Sequence, residues 1–267
     1  MTEVLMCPPD YYTVRYKINP WMNPRRRPDE TTAILQWQAL YETLQNIGLK
    51  ISLVNPAPDL PDMVFTANAG LVFDNRFILS SFRYPQRQTE SPYFETWAES
   101  AGMEVKHLPQ DHYFEGEGDA LFFKDTLIAG YRYRSDIRSH LHVSKIIERE
   151  VLSVELVNPD YYHLDTCFCP LNDTSALFYP GAFDVYGKKV LERIVPNLIP
   201  LSEKDARKFC CNAVVNGTNI IMNRCTPSLQ ETLGSLGFEL HLLEFDEFIK
   251  AGGSSKCMVL FLNREQG

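Results

Sequence analysis

Apolar residues near the start of the chain recur at every third or fourth position and predict a helix from about Pro28 to Asn46. The repeating positions are Ala33, Trp37, Leu40, Leu44 and Ile47. This spacing places them on one helical face. Asp29 is a suitable N-cap, and Gly48 can adopt the left-handed conformation that commonly ends a helix. An apolar strand over residues 49–54 follows, so the first unit is a helix and then a strand.

The same helix-then-strand pattern recurs four more times. The later helices are predicted to begin at Ser91, Ser135, about Asp184 and Thr226. Each precedes an apolar strand, at residues 103–108, 151–157, 197–201 and 238–243. Capping residues, first-turn prolines and terminal glycines fall where helix ends require them. The five units share a pattern but negligible sequence identity.

Pairs of apolar runs separated by turn residues lie between these units and predict β-hairpins. The paired runs are 70–73 with 77–81, 120–123 with 126–130, 166–171 with 175–179, and 213–215 with 219–222. The last unit has only Cys257–Leu262, and the run Val4–Cys7 is available as its partner. This pairing would close the units into a ring. We therefore predict one α/β domain over residues 1–267, built from five repeated units.

Composition and charge exclude several classes of function. The net charge is −8, and the one basic run, Arg25–Arg27, lies between two prolines, which argues against a nucleic-acid partner. No apolar stretch is long enough to cross a membrane, and the N-terminal residues do not resemble a signal peptide. Seven unevenly spaced cysteines indicate reduced thiols in a cytoplasmic protein. Zinc-site spacing and nucleotide-binding glycine motifs are missing, so we expect neither a metal nor a cofactor.

Polar residues concentrate in the five loops that lead from each helix–strand unit into the next hairpin. The segments are Asp62–Asn68, Glu115–Asp119, His163–Asp165, Cys211–Asn212 and Gly252–Cys257. In a ring of similar units, such loops would meet near the central axis. A cysteine, a histidine, carboxylates and amides are the groups that thiol nucleophilic catalysis requires. Each residue alone has an ordinary structural explanation, such as a buried thiol or a solvated turn. Their equivalent places in the repeat favour a shared site.

Three of these motifs resemble a known superfamily. They are Phe114–Leu121 (FEGEGDAL), His163–Asp165 (HLD) and Gly252–Met258 (GGSSKCM). They are similar to motifs of the guanidino-group-modifying enzymes, which include dimethylarginine dimethylaminohydrolases, arginine deiminases and amidinotransferases. The resemblance implies a five-bladed αβ propeller of pseudo-fivefold ββαβ units with a central active site. Two further segments, Tyr16–Met22 and Phe65–Gly70, resemble the arginine dihydrolase domain of cyanobacterial type.

The resemblance also implies roles for individual residues. Cys257 is the expected nucleophile, His163 the proton-transfer group, and Glu115 the carboxylate that orients it, with Glu117 as the alternative. The expected substrate-binding residues are Asn19, Asp62, Phe65, Asn68, Arg87, Asp119, Arg134 and Asp165. Arg132 is the alternative to Arg134. Asn68 stands where deiminases and dimethylarginine hydrolases carry an aspartate.

These expectations describe a hydrolase of free L-arginine that works through a covalent amidino-thioether. A dihydrolase would release ornithine, ammonia and carbon dioxide. A dimethylarginine dimethylaminohydrolase, an arginine deiminase and an amidinotransferase are alternatives with the same thiol chemistry. An arginine-binding regulatory module is the alternative without catalysis. A small-molecule substrate is the expected partner, and a homo-oligomer is possible.

Overall fold

The computed structural model describes residues 1–263 and contains five three-stranded β-sheets in these residues. Residues 264–267 of the predicted domain lie outside the described residues. The strands are β1 Glu3–Met6, β2 Lys50–Leu53, β3 Gly70–Phe73, β4 Arg76–Leu79, β5 Glu104–Lys106, β6 Ala120–Phe123, β7 Thr126–Tyr131, β8 Val151–Glu155, β9 Phe168–Pro170, β10 Ser175–Phe178, β11 Asn197–Pro200, β12 Val214–Asn216, β13 Asn219–Asn223, β14 Glu239–Leu243 and β15 Leu260–Phe261. The result is a mixed α/β fold, as predicted.

Every sheet has the same internal arrangement. Its central strand pairs antiparallel with one neighbour through a hairpin and parallel with the other through a helical crossover. In one sheet, β3 pairs with β4 and β4 runs parallel to β5. The first sheet differs only in connectivity, because Val4 of β1 lies opposite Phe261 of β15 and beside Ile51 of β2. The predicted pairing of the first strand with the last is confirmed.

Five crossover helices connect the parallel strands. They are Glu30–Asn46, Ser91–Ser100, Ile137–Ile147, Val185–Ile194 and Pro227–Ser235. Asp29, Asp184 and Thr226 each cap a helix through a side-chain oxygen that accepts from a first-turn N–H group. The third helix differs from the prediction, since Asp136 is its cap and Ser135 lies outside it. Ser135 and Asp136 both have side chains that can cap this helix, but the hydroxyl of Ser135 donates to Asp119 instead.

The helices bury one face against the sheets. In the helix Ser91–Ser100, Phe94 and Ala98 lie one turn apart and are fully buried together with Phe77 of β4. Truncating a buried phenylalanine of this kind costs about 3–5 kcal/mol. No helix of the described residues is long and apolar enough to cross a membrane.

One-turn helices occupy the connecting loops, and periodicity alone did not predict them. They are Pro61–Val64, Thr66–Ala69, Pro85–Gln88, Gly116–Asp119, Pro159–Tyr161, Leu164–Thr166, Pro180–Ala182, Glu203–Ala206, Asp246–Ile249 and Lys256–Met258. The turn 116–119 contacts the turns 66–69 and 164–166, and the turn 66–69 also contacts 256–258. Cys257 therefore lies in a one-turn helix and not in the strand predicted from Cys257, which begins only at Leu260.

Candidate active site

A small enclosed cavity lies where these one-turn helices meet. Seven of the eleven expected site residues line it, namely Asn19, Asp62, Phe65, Asn68, Arg87, Arg134 and Cys257. Its volume of about 10 Å³ is enough for roughly one water molecule. The other four, Glu115, Asp119, His163 and Asp165, are also buried. Glu115 and Asp165 bind the lining residues Arg134 and Cys257, whereas His163 binds Glu115 and Asp119 binds Ser135. Segments far apart in the sequence thus converge on the space beside the Cys257 sulfur.

Two polar side chains hold the Cys257 sulfur. The thiol donates to Asp165 Oδ2 at 3.2 Å, and Asn212 Nδ2 donates to Sγ at 3.0 Å. Burial, followed by the negative charge of Asp165, raises the pKa of the Cys257 thiol well above its usual range. Without a ligand the sulfur is therefore a protonated thiol. A cation beside it would favour the thiolate.

His163 and Arg134 share one carboxylate. His163 Nε2 and Arg134 Nη1 each lie 2.8 Å from Glu115 Oε2. Glu115 is completely buried, which opposes ionisation, but the guanidinium of Arg134 and the hydrogen bond from His163 hold the pKa of Glu115 far below its usual range. Glu115 is therefore an anion that fixes the orientation of the imidazole ring.

Glu117 points to a different partner. Its Oε2 accepts from Lys256 Nζ at 2.9 Å and from the Phe261 N–H at 3.2 Å. Gly116 lies between the two glutamates with a φ of 56°, in the left-handed region, and a Cβ there would clash with the Gly70 carbonyl oxygen. This turn separates the directions of the two side chains. Glu115 faces His163, whereas Glu117 fastens the loop that carries Cys257.

The two aspartates near His163 have different surroundings. Asp165 uses Oδ2 for the thiol, while Oδ1 is buried without a hydrogen-bond partner among the described residues. Burial raises the pKa of Asp165 to about 7 against the opposing charge of Lys256. Asp119 instead accepts from the Ser135 hydroxyl and N–H and from the Leu164 N–H. Asp119 was expected to contact substrate, but its oxygens tie neighbouring loops together and it does not line the cavity.

Arg87 is held by a buried network on another wall. Its Nε and Nη2 donate to the two oxygens of Glu90 at 2.9 and 2.7 Å, and its Nη1 donates to Asn68 Oδ1 at 2.7 Å. Nη2 also donates to the Asp62 carbonyl oxygen at 3.1 Å. Four of the five guanidinium N–H groups of Arg87 are thus occupied, and one remains for a ligand. Sequence reasoning missed Glu90, although its place three residues after Arg87 is a usable signal.

Asp62 and Asn68 retain unused polar atoms. The hydroxyl of Tyr16 donates to Asp62 Oδ2 at 2.8 Å, whereas Asp62 Oδ1 and Asn68 Nδ2 are buried with no hydrogen-bond partner among the described residues. Burial raises the pKa of Asp62. An acceptor and a donor without partners in the wall of a cavity are the groups expected of a polar ligand site.

Asn19 and Arg134 fix the outer wall. Asn19 Nδ2 donates to the Ala251 carbonyl oxygen at 2.9 Å, and its Oδ1 accepts from two N–H groups of its own turn. The guanidinium of Arg134 lies 4.9 Å from the ring centre of Tyr84 and 4.5 Å from that of Tyr162. Arg132 is half exposed and pairs with Glu155 outside the cavity. Arg134 is therefore the arginine at the site.

No group of three or more metal-ligating side chains occurs among residues 1–263.

A family model matches most of the chain. Residues 17–264 match the family described as N,N dimethylarginine dimethylhydrolase, eukaryotic. The chain belongs to this family. The match confirms the resemblance to guanidino-group-modifying enzymes that the three motifs indicate.

Relatives of this dimethylarginine hydrolase family member include proteins with two different named activities. The bifunctional arginine dihydrolase/ornithine cyclodeaminase ArgZ of Synechocystis is 46% identical over 97% of this chain and 37% of ArgZ. A dimethylarginine dimethylaminohydrolase of Mycobacterium tuberculosis is 35% identical over 96% of this chain and 84% of the relative. The chain thus spans little more than a third of the length of ArgZ.

Two solved structures share the fold of this chain. The N-terminal domain of a serine-substituted ArgZ mutant bound to substrate superimposes with a TM-score of 0.96 at 44% identity, covering 99% of each chain. A dimethylarginine dimethylaminohydrolase adduct superimposes with a TM-score of 0.82 at 20% identity and shares the fold.

Proposed function

We propose that the chain is a cysteine-dependent hydrolase of free L-arginine, of the arginine dihydrolase type. One observation carries the proposal: the buried Cys257 thiol borders a cavity that also presents the unpaired Asp62 Oδ1 and the guanidinium of Arg134. This set suits a ligand with a planar cation and a carboxylate. The 46% identity to ArgZ and the match to its isolated N-terminal domain support the dihydrolase assignment.

We also infer that the five sheets are the blades of one closed αβ propeller, with the site at its axis. The common strand order of the sheets supports this arrangement. So do the pairing of β1 with β15 and the mutual contacts of the turns 66–69, 116–119, 164–166 and 256–258. We propose a single domain in the cytoplasm, where its buried, unpaired cysteines would stay reduced.

The substrate contacts follow from the unused atoms of the site. Asp165 Oδ1 and Asp62 Oδ1 would accept hydrogen bonds from the N–H groups of the substrate. Arg134 would bind the substrate carboxylate, with Arg87 contributing its remaining donor and Phe65 packing on the aliphatic chain. The cavity is too small for arginine. Asn19 lies between it and an outer cavity of about 270 Å³, so the segment around Asn19 would move to admit the substrate.

The first half of the reaction forms a covalent intermediate. As the guanidinium binds beside Sγ, the thiol proton passes to His163, and the thiolate attacks the guanidinium carbon. Nε2 of His163 is held by Glu115, which leaves Nδ1 for proton transfer. The imidazolium returns its proton to the departing nitrogen, and ammonia leaves as the carbon–nitrogen bond breaks. The products are an amidino-thioether on Cys257, ammonia and neutral His163.

Hydrolysis then releases the thiol. His163 takes a proton from water, the water oxygen adds to the same carbon, and the carbon–sulfur bond breaks to return the thiolate. The added hydroxyl loses its proton to solvent as the carbonyl forms, and the imidazolium returns its own proton to the thiolate. The product, citrulline, has a neutral ureido group. Asn68 offers it a neutral amide N–H where an aspartate would offer a charge, so citrulline is retained for a second round. The sum is one arginine and two waters giving ornithine, two ammonia and carbon dioxide.

Dimethylarginine hydrolysis is the second candidate. The family model and the Mycobacterium tuberculosis relative favour it. In that reaction the same thiol expels dimethylamine, and citrulline is the end product.

Product analysis separates the candidates. The protein is incubated with arginine and, separately, with asymmetric dimethylarginine, and Cys257→Ser is the control. Ornithine and ammonia from arginine are the expected result. Citrulline that accumulates without ornithine would overturn the dihydrolase assignment, and dimethylamine would establish the second candidate. A haloacetamidine that fails to label Cys257 would overturn both and leave a binding module.

A further inference from the structure

The side chain of Asn212 makes three of its four hydrogen bonds to the loop that carries Cys257. It is completely buried, and its Oδ1 accepts from the N–H groups of Ser254 and Cys257, each at 3.1 Å. Its Nδ2 donates to Cys257 Sγ at 3.0 Å and to the Asp165 carbonyl oxygen at 3.2 Å. Two donors and two acceptor sites are all that a side-chain amide possesses. None of the four is free.

The orientation of this amide is determined by its neighbours. Backbone N–H groups can only donate, so the atom that faces Ser254 and Cys257 must be the oxygen. The Asp165 carbonyl can only accept, so the atom that faces it must be the nitrogen. The group directed at the Cys257 sulfur is therefore an N–H donor.

We propose that Asn212 is a catalytic residue, whose Nδ2–H group stabilises the Cys257 thiolate while its Oδ1 holds the nucleophile loop in place. The inference rests on Cys257 being the nucleophile of the proposed function and not on which guanidino compound is the substrate.

The electrostatics of the sulfur explain why a donor is needed there. The charged groups around it are unfavourable or engaged elsewhere: Asp165 opposes the thiolate directly, and Lys256 is engaged with Glu117. A thiolate is a much stronger hydrogen-bond acceptor than a thiol, so an N–H aimed at Sγ lowers the pKa of Cys257. The backbone N–H of Ser254, followed by the side-chain hydrogen bond from Asn212, acts on the thiol pKa in this direction.

The surrounding backbone makes Asn212 a rigid support. Its own carbonyl oxygen accepts from the Ser255 hydroxyl at 2.7 Å and from the Lys256 N–H at 3.3 Å. Both backbone and side chain of Asn212 thus bind the segment 254–257. The donor is placed before substrate arrives, and this preorganisation makes an electrostatic contact effective in catalysis.

The decisive variant is Asn212→Asp. Aspartate has the same shape and keeps an oxygen for the two N–H groups, but it removes the donor to sulfur and adds a carboxylate there. Both changes disfavour the thiolate, so Asn212→Ser, which adds no charge, isolates the loss of the donor. The readout is the rate of Cys257 alkylation by iodoacetamide as a function of pH, with peptide mapping to separate Cys257 from the other cysteines. We expect the midpoint to rise by at least about one pKa unit, so that alkylation near neutral pH falls at least tenfold. Asn212→Ser, whose hydroxyl is too short to reach Sγ, should shift in the same direction.

Asn223→Asp is the matched control, because Asn223 also donates its amide to a backbone carbonyl, that of Lys208, but lies outside the site. It should leave the alkylation profile within twofold of the parent. If a folded Asn212→Asp or Asn212→Ser protein keeps the pH midpoint of Cys257 alkylation that the parent has, the inference is wrong.

A second measurement uses the parent protein and does not depend on the variants folding. In protein labelled with ¹⁵N-asparagine, one side-chain amide signal should titrate with the same midpoint as Cys257 alkylation, and this titration should vanish in Cys257→Ala. If no amide signal follows the thiol, the inference is wrong. Alkylation does not require arginine turnover, so a parent that alkylates normally but leaves arginine intact would contradict the proposed function and not the role of Asn212.

Discussion

The buried ion pair between Lys256 and Glu117 should be one of the main supports of the nucleophile loop. The two side chains are only 6% and 1% exposed, and they meet at 2.9 Å. Lys256→Met keeps most of the aliphatic volume but leaves the Glu117 carboxylate buried without this cation. Removing one partner of a buried pair costs about 3–5 kcal/mol, far more than the pair itself contributes relative to apolar replacements. Lys256 also donates to the Val259 carbonyl oxygen, which would lose its partner.

The expected change in melting temperature follows from the size of the chain. An unfolding entropy of about 2.1 cal/mol/K per residue gives about 0.56 kcal/mol/K for 267 residues. A loss of about 3–5 kcal/mol then lowers the Tm by about 5–9 °C, measurable by calorimetry. The double variant Lys256→Met with Glu117→Gln should recover at least half of this loss, because neither position then carries a charge.

An exposed ion pair of the same length provides the control. Arg207 and Glu203 also meet at 2.9 Å, but their side chains are 60% and 66% exposed. Arg207→Met should leave the melting temperature within about 1 °C of that of the parent, because solvent screens the pair. If Lys256→Met melts within about 1 °C of the parent, or if the double variant recovers nothing, burial is not what makes this pair important.

Three further variants test the site and the fold. Cys257→Ser should abolish turnover while changing the free energy of unfolding by less than about 1 kcal/mol, and residual turnover would reject the thiol mechanism. Asp165→Asn should speed alkylation of Cys257 near neutral pH about tenfold while arginine turnover is lost, since the carboxylate raises the thiol pKa; slower alkylation would contradict this. Burial lowers the pKa of His140 from 6.5 to about 4, so the folded state disfavours the charged ring and stability falls as the pH drops through this range. His140→Leu should remove about 3 kcal/mol of that fall in urea titrations, and an unchanged slope would refute it.

Local sequence patterns predicted the start of a helix well wherever only one residue can act as its N-cap. Asp29 and Thr226 cap their helices as predicted, because a short polar side chain before a periodic apolar segment has few other uses. The prediction that the third helix begins at Ser135 is wrong, because its neighbour Asp136 is the N-cap. The hydroxyl of Ser135 is instead bound to Asp119, a residue that lies in another loop.

The direction of each polar side chain was harder to predict. Glu115 and Glu117 are equivalent by composition, and the left-handed turn at Gly116 and the contacts of its loop send one to His163 and the other to Lys256. Asn212 lay in a segment that the repeat singled out, but no motif contains it. Its importance comes from three backbone groups that only folding brings together.

The sequence by itself determined the repeated units, the pairing of the first and last strands, and the residue types that gather at the centre. These depend on periodicity and turn chemistry, which act over a few residues. The tertiary structure alone decided that Asp119 ties loops together, that Glu90 occupies Arg87, and that Asn212 faces the sulfur. The physical reason is that a buried polar atom must find a partner, and its partner is chosen by whichever distant segment the packing places within hydrogen-bond reach.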